Sequence, residues 1–529
     1  MAAKAVRPDP FSAADASSSD DDEDQGLPRL PPGRPFTPAS PPPSHAKPPP
    51  PQLHRHASHV RLPSPLPALP PRGPASTDLF GPLVARVGVI SDVQHAAGVP
   101  DGKSFHGVPR FYADALKGAQ RAGRAFRRQR VRAVIHLGDT VDGQHAARGV
   151  GSSEDALRSV VEALVGRGGA EAEGEEDEDE DEDDGEGGDA DVDDGARRPS
   201  RRRPPPLLQV TSNHDIYNFG ADRRRLNALL GISAPAGEQH DGASYYSFAL
   251  ADGWRAVALD AYDVSLVGRA PGDPRHALAA ETLRARNPNG SDARPQGWDS
   301  PEGLKGVARR FVRFGGGAGE AQVAWLRAEL AGARAAGERV LLLSHLPLHP
   351  ATAPPACLLW NYEEVVGVLE EYPATVAAVL TGHAHMNGYC FAPHGTGVTA
   401  ATEGADDAPA GALAGAGGAA AAAAAGRTGG GGIHHLVLPC VLETPPDRDC
   451  WAVLDIHARG LLLRGVDTCM SLAMAVGQAP GGGDDKGGRG AEEAQGAGAT
   501  TTTAAAAAAA AVSAAGDALS RVAIAAEAR

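Results

Sequence analysis

The sequence predicts an α/β fold built from layers, and three observations predict it. Apolar runs of strand length alternate with helical patterns from residue 84 to residue 385. Five of those runs end on polar residues of metal-ligand type. After residue 385 helices give way to short, closely spaced strand candidates, which asks for a further sheet packed on the first.

In chain order, LVARVGVISD carries a strand near residues 84–91, followed by a helix near 110–130, a strand in RAVIHLGD and a helix near 153–165. PPLLQVTSNHD supplies the next strand, before a helix near 221–230, two strands around 244–249 and 254–260, and a helix near 320–336. RVLLLSHLP, a helix near 361–371 and TVAAVLTGHAH continue the alternation. Short strands near 387–391, 434–438, 451–456 and 461–466 then suggest a second sheet, mixed or antiparallel.

Around this core lie segments that cannot bury enough apolar surface to offset the entropy of ordering them. Residues 1–80 are Pro-rich, inserts at about 168–205 and 400–432 are acidic to Arg/Pro-rich and Ala/Gly-rich, and Ala/Gly-rich sequence resumes at 473–529. The expected organisation is one domain over 81–472 with surface-loop inserts. The net charge is −16, but residues 171–194 alone hold 17 Asp and Glu, so the remainder is nearly neutral. A surface that seeks nucleic acid is therefore not expected. Five cysteines without CxxC spacing fit unpaired thiols in a reducing compartment. No strongly apolar run is long enough to span a bilayer, and the acidic cluster Asp20–Asp24 does not suit a transit peptide. The cytoplasm is the expected location, with no membrane partner, and a monomer is expected. Ser200 in RRPSRRR is a candidate phosphorylation site.

The five polar strand ends are VISDVQ with Asp92 and Gln94, IHLGDTVDG with Asp139 and Asp142, QVTSNHD with Asn213, His214 and Asp215, LLLSHLP with His345, and VLTGHAH with His383 and His385. Carboxyl ends of strands in an α/β sheet share one rim, so residues distant in sequence converge there. A lone Asp after a strand is usually a turn or cap residue, and a lone His a loop or core residue. Five such pieces in one chain point to a single metal site. If extended backbone continues past Asp92, alternation puts Asp92 and Gln94 on one side and His95 on the other. A glutamine amide oxygen in place of an imidazole favours harder cations such as Mn2+ or Mg2+.

The order D-x-[HQ], GD, NH[DE], H and GHxH resembles the calcineurin-like metallophosphoesterase superfamily. Within it DVQHA, LGDTVDGQ, NHDIYNFG, LDAYDVS, RNPNG, FGGGAGEAQVAWL, LSHLPLHP, WNYEEV, TGHAHMNGYC and VLETPPD resemble the manganese-dependent ADP-ribose/CDP-alcohol diphosphatases over nearly the whole ordered core. Ser212 stands where that pattern usually has Gly, and Asp215 where it more often has Glu. The resemblance implies a four-layer α-β-β-α sandwich with two mixed β-sheets and two divalent metal ions, Mn2+ preferred and Mg2+ as the alternative. Asp92, Gln94, Asp139 and His385 would hold one cation. Asp139, Asn213, His345 and His383 would hold the other, with Asp139 shared. Paired cations clamp the attacking and leaving oxygens of an in-line phosphoryl displacement.

In that scheme His214 stabilises or protonates the departing oxygen and Asp215 orients it, with a helix cap before residue 221 as an equal reading of Asp215. Asp142 reads as a turn residue or a supporting carboxylate. Tyr262, Trp360 and Tyr362 are candidates to stack on a nucleobase, against which Trp360 and Tyr362 could simply seat the helix at 361–371. Cys357 is a candidate pocket residue, though a small packing residue suits it better. The implied reaction cleaves the pyrophosphate of ADP-ribose and CDP-alcohols. Alternatives are another calcineurin-like phosphatase, a cyclic-nucleotide phosphodiesterase, or a non-catalytic scaffold of this fold whose Pro-rich segment binds aromatic grooves.

Overall fold

Strand β1 (Leu83–Ile90) shows how the layers arise: Val87 and Val89 join one apolar cluster, while Ile90 joins another on the opposite face. The computed structural model of the protein describes residues 80–104, 107–166, 203–233, 242–395 and 431–477. The Pro-rich N-terminal stretch, most of both inserts with Ser200, and nearly all of the tail lie outside the described residues.

β1 pairs in parallel with β4 (Ala133–His136), from Val87↔Ala133 to Ile90↔His136, and β4 pairs in parallel with β5 (Leu207–Gln209). Its other edge takes β12 (Cys450–His457) antiparallel, followed by β13 (Gly460–Asp467) and β14 (Leu472–Ala475). The second sheet contains β6 (Tyr246–Ala251), β7 (Trp254–Ala258), β8 (Arg339–Leu343), β9 (Val376–Thr381), β10 (Gly388–Pro393) and β11 (Gly432–Val437). Their order is β10-β11-β9-β8-β7-β6, with parallel pairing from β11 to β7 and antiparallel edges. A small ladder joins β2 (Gly102–Lys103) to β3 (Pro109–Arg110).

Val89, Ile135, Leu341, Leu343, Leu380, Leu436 and Leu454 fill the space between the sheets. Helices α1 (Tyr112–Arg128) and α2 (Val150–Val165) cover the outer face of the first sheet. The buried positions Ala115, Ala119, Ala122 and Phe126 make one stripe along α1. Arg127 and Arg128 in its last turn suit the dipole there. Short helices α3 (Asn213–Phe219) and α4 (Arg223–Leu230) follow β5, and α4 is capped by the Asp222 carboxylate, which accepts from Arg225 N at 3.1 Å. After α5 (Pro274–Arg286), helices α6 (Glu320–Ala335) and α7 (Tyr362–Glu370) cover the second sheet through Leu326, Leu330, Val365 and Leu369. The result is the expected α-β-β-α sandwich.

The late strands do not make a sheet of their own. β10 and β11 extend the second sheet, and β12 to β14 complete the first. Alternation in a strand records which faces are buried, not which neighbour it pairs with. The boundary at 473 also moves, because β14 pairs with β13 and buries Met474. Helices α3 and α5 were not expected; α3 lies within a loop-like string, and α5 has few apolar positions beyond Ala279 and Leu283. Among the described residues no helix is long and apolar enough to cross a membrane.

Candidate metal centre

The loops after β1 and β4 run side by side. Asp92 N donates to Gly138 O at 3.1 Å, Gln94 N to Asp139 O at 2.8 Å and His95 N to Thr140 O at 3.0 Å. Backbone extension does not carry Gln94 into the cluster, as alternation had suggested. Asp92, Gln94, Asp139, His383 and His385 all have positive φ, at 51°, 46°, 57°, 65° and 55°. Such conformations in non-glycine residues cost about 1–3 kcal/mol each and persist where surrounding contacts hold them. His95 is buried elsewhere, bridged to Val141, and burial followed by the nearby His145 pushes its pKa down to about 4. Gly382 permits the final close approach, since a Cβ there would collide with Ser91 Oγ and Asp92 Oδ2.

Among the described residues three groups of possible ligands form, one of them His385, Cys440 and Glu443, and Asp139 belongs to the other two. Asp139, His345 and His383 offer ligand atoms within 4.8 Å of one another, as do Asp92, Asp139 and His385. Asn213 Oδ1 lies 3.1 Å from His345 Nε2, and Gln94 Nε2 lies 2.8 Å from Asp139 Oδ2 and 3.1 Å from His385 Nε2. The structure thus brings together all seven residues picked out as ligands.

The contacts fit cations. His345 Nδ1 donates to Leu137 O at 2.7 Å, which leaves its Nε2 facing Asn213 Oδ1, His383 Nδ1 3.2 Å away and Asp139 Oδ1 3.5 Å away. Acceptor atoms brought this close repel unless a positive species, a proton or a metal cation, sits among them. Burial and the proximity of His345 push His383 down to about 3; His345, despite burial, is raised to about 9 by Asp139 and Asp92. Of the two facing imidazoles, only His345 takes up the second proton of an imidazolium. The Gln94 Oε1 atom is buried with no hydrogen-bond partner, while its amide nitrogen occupies the space between Asp139 and His385. Turning that amide over presents the oxygen to the same space, which suits a hard cation.

His214 lies at the edge of the cluster, with Nε2 4.0 Å from Asp139 Oδ2 and the side chain 19% exposed. Gly143 N donates to His214 Nδ1 at 2.8 Å, and Asp142 Oδ2 is 3.3 Å from the same nitrogen. The neutral ring therefore keeps its hydrogen on Nε2, and so does the imidazolium. Burial opposes the charged ring, but Asp139 and Asp142 outweigh it and raise its pKa. Asp215 does not meet His214. Its carboxylate accepts from Thr140 N, Val141 N and Ser212 Oγ at 3.0, 3.1 and 2.8 Å, and so fastens the Asp139 loop to the start of α3. Asp215 sits inside α3 and α4 is capped by Asp222, so the capping alternative also falls away. The carboxylate beside His214 is Asp142.

The stacking candidates are also repositioned. Tyr262 is fully buried and donates its hydroxyl to Asn213 Oδ1 at 3.1 Å, supporting that side chain. Trp360 packs with Phe311, Leu283 and Val264, and Tyr362, the first residue of α7, is buried in the core and so seats that helix. Neither presents a face to a nucleobase. Cys357 remains partly exposed, with burial, ahead of other influences, raising its thiol to about 11. The strings without metal-type residues interlock instead: Gln322 Oε1 accepts from Asp260 N, Asp263 accepts from Gly319 N, and Asn361 bonds both ways with Ala318. Glu443 and Arg110 went unnoticed in the sequence. Glu443 follows β11, so the strand-end rule could have found it; Arg110 carries no such signal.

Two donor groups sharing one carboxylate, set at strand ends of a four-layer sandwich, place the molecule among the dinuclear metallophosphoesterases. A crystal structure of a dimetal phosphatase from Danio rerio superposes with a TM-score of 0.55 and 27% identity, covering 75% of this chain and 100% of that one. The chain is 30% identical over 385 residues to an Arabidopsis thaliana protein named manganese-dependent ADP-ribose/CDP-alcohol diphosphatase, covering 73% of this chain and 94% of the relative. A namesake from Oryza sativa subsp. japonica is 31% identical over 381 residues, covering 72% and 90%. No family model matches the chain. The protein belongs to the manganese-dependent ADP-ribose/CDP-alcohol diphosphatase family and is a hydrolase.

Proposed function

We propose that the protein hydrolyses the pyrophosphate bond of ADP-ribose and of CDP-alcohols such as CDP-choline and CDP-glycerol, releasing a nucleoside monophosphate and a phosphorylated product. The observation that carries this reading is the membership of Asp139 in two donor groups at once. Asp92, Gln94, Asp139 and His385 would hold one cation and Asp139, Asn213, His345 and His383 the other, Mn2+ in preference to Mg2+. Bound there, the pair supplies Lewis acidity that polarises a phosphoryl oxygen and acidifies water.

The protein's own groups do the rest. His214 presents an Nε2 hydrogen to the oxygen leaving phosphorus as the anhydride bond breaks, and Asp142 supports the positive ring. Asp215 and Tyr262 keep the Asp139 loop and Asn213 in place. One chain supplies the whole donor set, which suits a monomer. Five free cysteines suit a reducing, cytoplasmic location.

The test is purified protein with Mn2+ offered ADP-ribose, CDP-choline, a cyclic nucleotide and a phosphomonoester. Release of AMP or CMP, abolished in Asp139→Asn, is the expected result. Phosphate released from the monoester alone overturns the reading, and inertness towards all four with the fold intact favours a scaffold.

A further inference from the structure

Behind the cluster, two carboxylates stand on the far nitrogens of two site histidines. Glu443 Oε1 is 3.0 Å from His385 Nδ1, and Asp142 Oδ2 is 3.3 Å from His214 Nδ1. One guanidinium reaches both. Arg110 Nε donates to the same Glu443 Oε1 at 3.2 Å, and its Nη1 is 4.0 Å from the same Asp142 Oδ2. That Asp142 oxygen is buried and has no hydrogen-bond partner, so Arg110 and His214 are the positive charges that face it.

The backbone around Arg110 is fastened on both sides. The next residue, Phe111, donates its N–H to Leu442 O at 2.8 Å, beside Glu443, and Gln144 Nε2 donates to the Tyr112 hydroxyl at 2.7 Å, beside the Asp142 turn. The β2–β3 ladder holds Arg110 itself against Gly102. A guanidinium offers several donors in a rigid plane, which is what two carboxylates on different loops require.

We propose that Arg110 is a positioning residue that ties the two halves of the site together, holding His385 through Glu443 and His214 through Asp142. The assignment rests on the reading above, in which His385 holds a cation and His214 serves the leaving oxygen. Removing Glu443 leaves the His385 ring with Cys440 as its remaining support on that side and weakens the Asp92 site. Removing Asp142 weakens support for His214 and leaves the cation sites alone. Removing Arg110 does both.

The experiment measures Mn2+ binding without substrate, by the electron paramagnetic resonance signal of free Mn2+, alongside kcat and KM for ADP-ribose. Wild type is compared with Glu443→Gln, Asp142→Asn and Arg110→Met, and melting temperatures confirm folding. Glu443→Gln is expected to weaken Mn2+ binding roughly 10- to 100-fold. Asp142→Asn is expected to lower kcat about 10-fold or more with Mn2+ binding unchanged. Arg110→Met should show both effects, and adding Glu443→Gln to it should weaken Mn2+ binding less than about 2-fold further. Arg110→Met that binds Mn2+ like wild type, or whose loss adds fully to that of Glu443→Gln, overturns the proposal. Wild-type protein that binds two Mn2+ ions but leaves ADP-ribose intact overturns the substrate reading while the binding comparison still decides the role of Arg110. Should Arg110→Met not fold, Arg110→Lys takes its place, since a point charge cannot span both carboxylates.

Discussion

At the scale of single residues, the site depends on side chains whose roles differ from their appearance in the sequence. Gln94 looks like a lost histidine, yet its amide fills the space between Asp139 and His385. Gln94→His is expected to keep the fold and shift metal preference from Mn2+ towards softer ions, read as activity with Mn2+ against Zn2+; unchanged preference means that Gln94 is no ligand. Tyr262 resembled a base-stacking residue and is a buried support for Asn213. Tyr262→Phe should lower stability by about 1 kcal/mol and reduce kcat with KM for ADP-ribose unchanged, whereas a stacking role would raise KM. The candidate ligands could be read because a metal demands particular atoms at strand ends. Tyr262 was misread because stacking and core packing use the same side chains, and only burial separates them; Trp360 and Tyr362 follow the packing alternative. Asp215 was misread for a related reason: its neighbour in sequence is His214, but the helical turn of α3 directs the carboxylate to Thr140 and Val141.

At the scale of elements, the alternation of strands and helices was legible because burial imposes a period on each. Partner choice among the late strands was not, since it depends on pairings such as β1 with β12 across more than half the described chain. Phe126 on α1 lies fully buried against Trp451 of β12, with ring centroids 5.5 Å apart, and so joins a helix to one of these unforeseen strands. Phe126→Ala should cost about 3–5 kcal/mol, measured by denaturant unfolding. β11 carries His434, whose Nε2 donates to Ala475 O at 2.9 Å and whose Nδ1 meets the Tyr389 hydroxyl at 3.0 Å. Burial lowers His434 from 6.5 to about 4. The unfolded chain therefore takes up this proton first as pH falls. Stability from the neutral ring is complete above pH 6.5 and is lost as pH drops towards about 4, amounting to up to about 3 kcal/mol. A melting temperature that falls less between pH 7 and pH 5 in His434→Gln than in wild type is the expected sign.

At the scale of the whole molecule, seven donors from five strand ends of both sheets meet in one cluster, which forms only when both sheets have folded. Cation binding should therefore stabilise the entire fold. Mn2+ at 100 times its dissociation constant contributes about 2.7 kcal/mol per site, so chelation with EDTA should lower the melting temperature as well as abolish activity. No rise in melting temperature on adding Mn2+ would show that the cluster does not hold it. The donors also follow a particular order along the chain: the first is Asp92 and the last His385, and β12, which flanks β1, comes later still. During synthesis, a nascent chain that has not reached His385 has only part of the cluster and no means to retain a cation pair. Retention of a cation pair thus requires the chain as far as His385, and metal capture is expected to follow the meeting of the two sheets rather than to precede it.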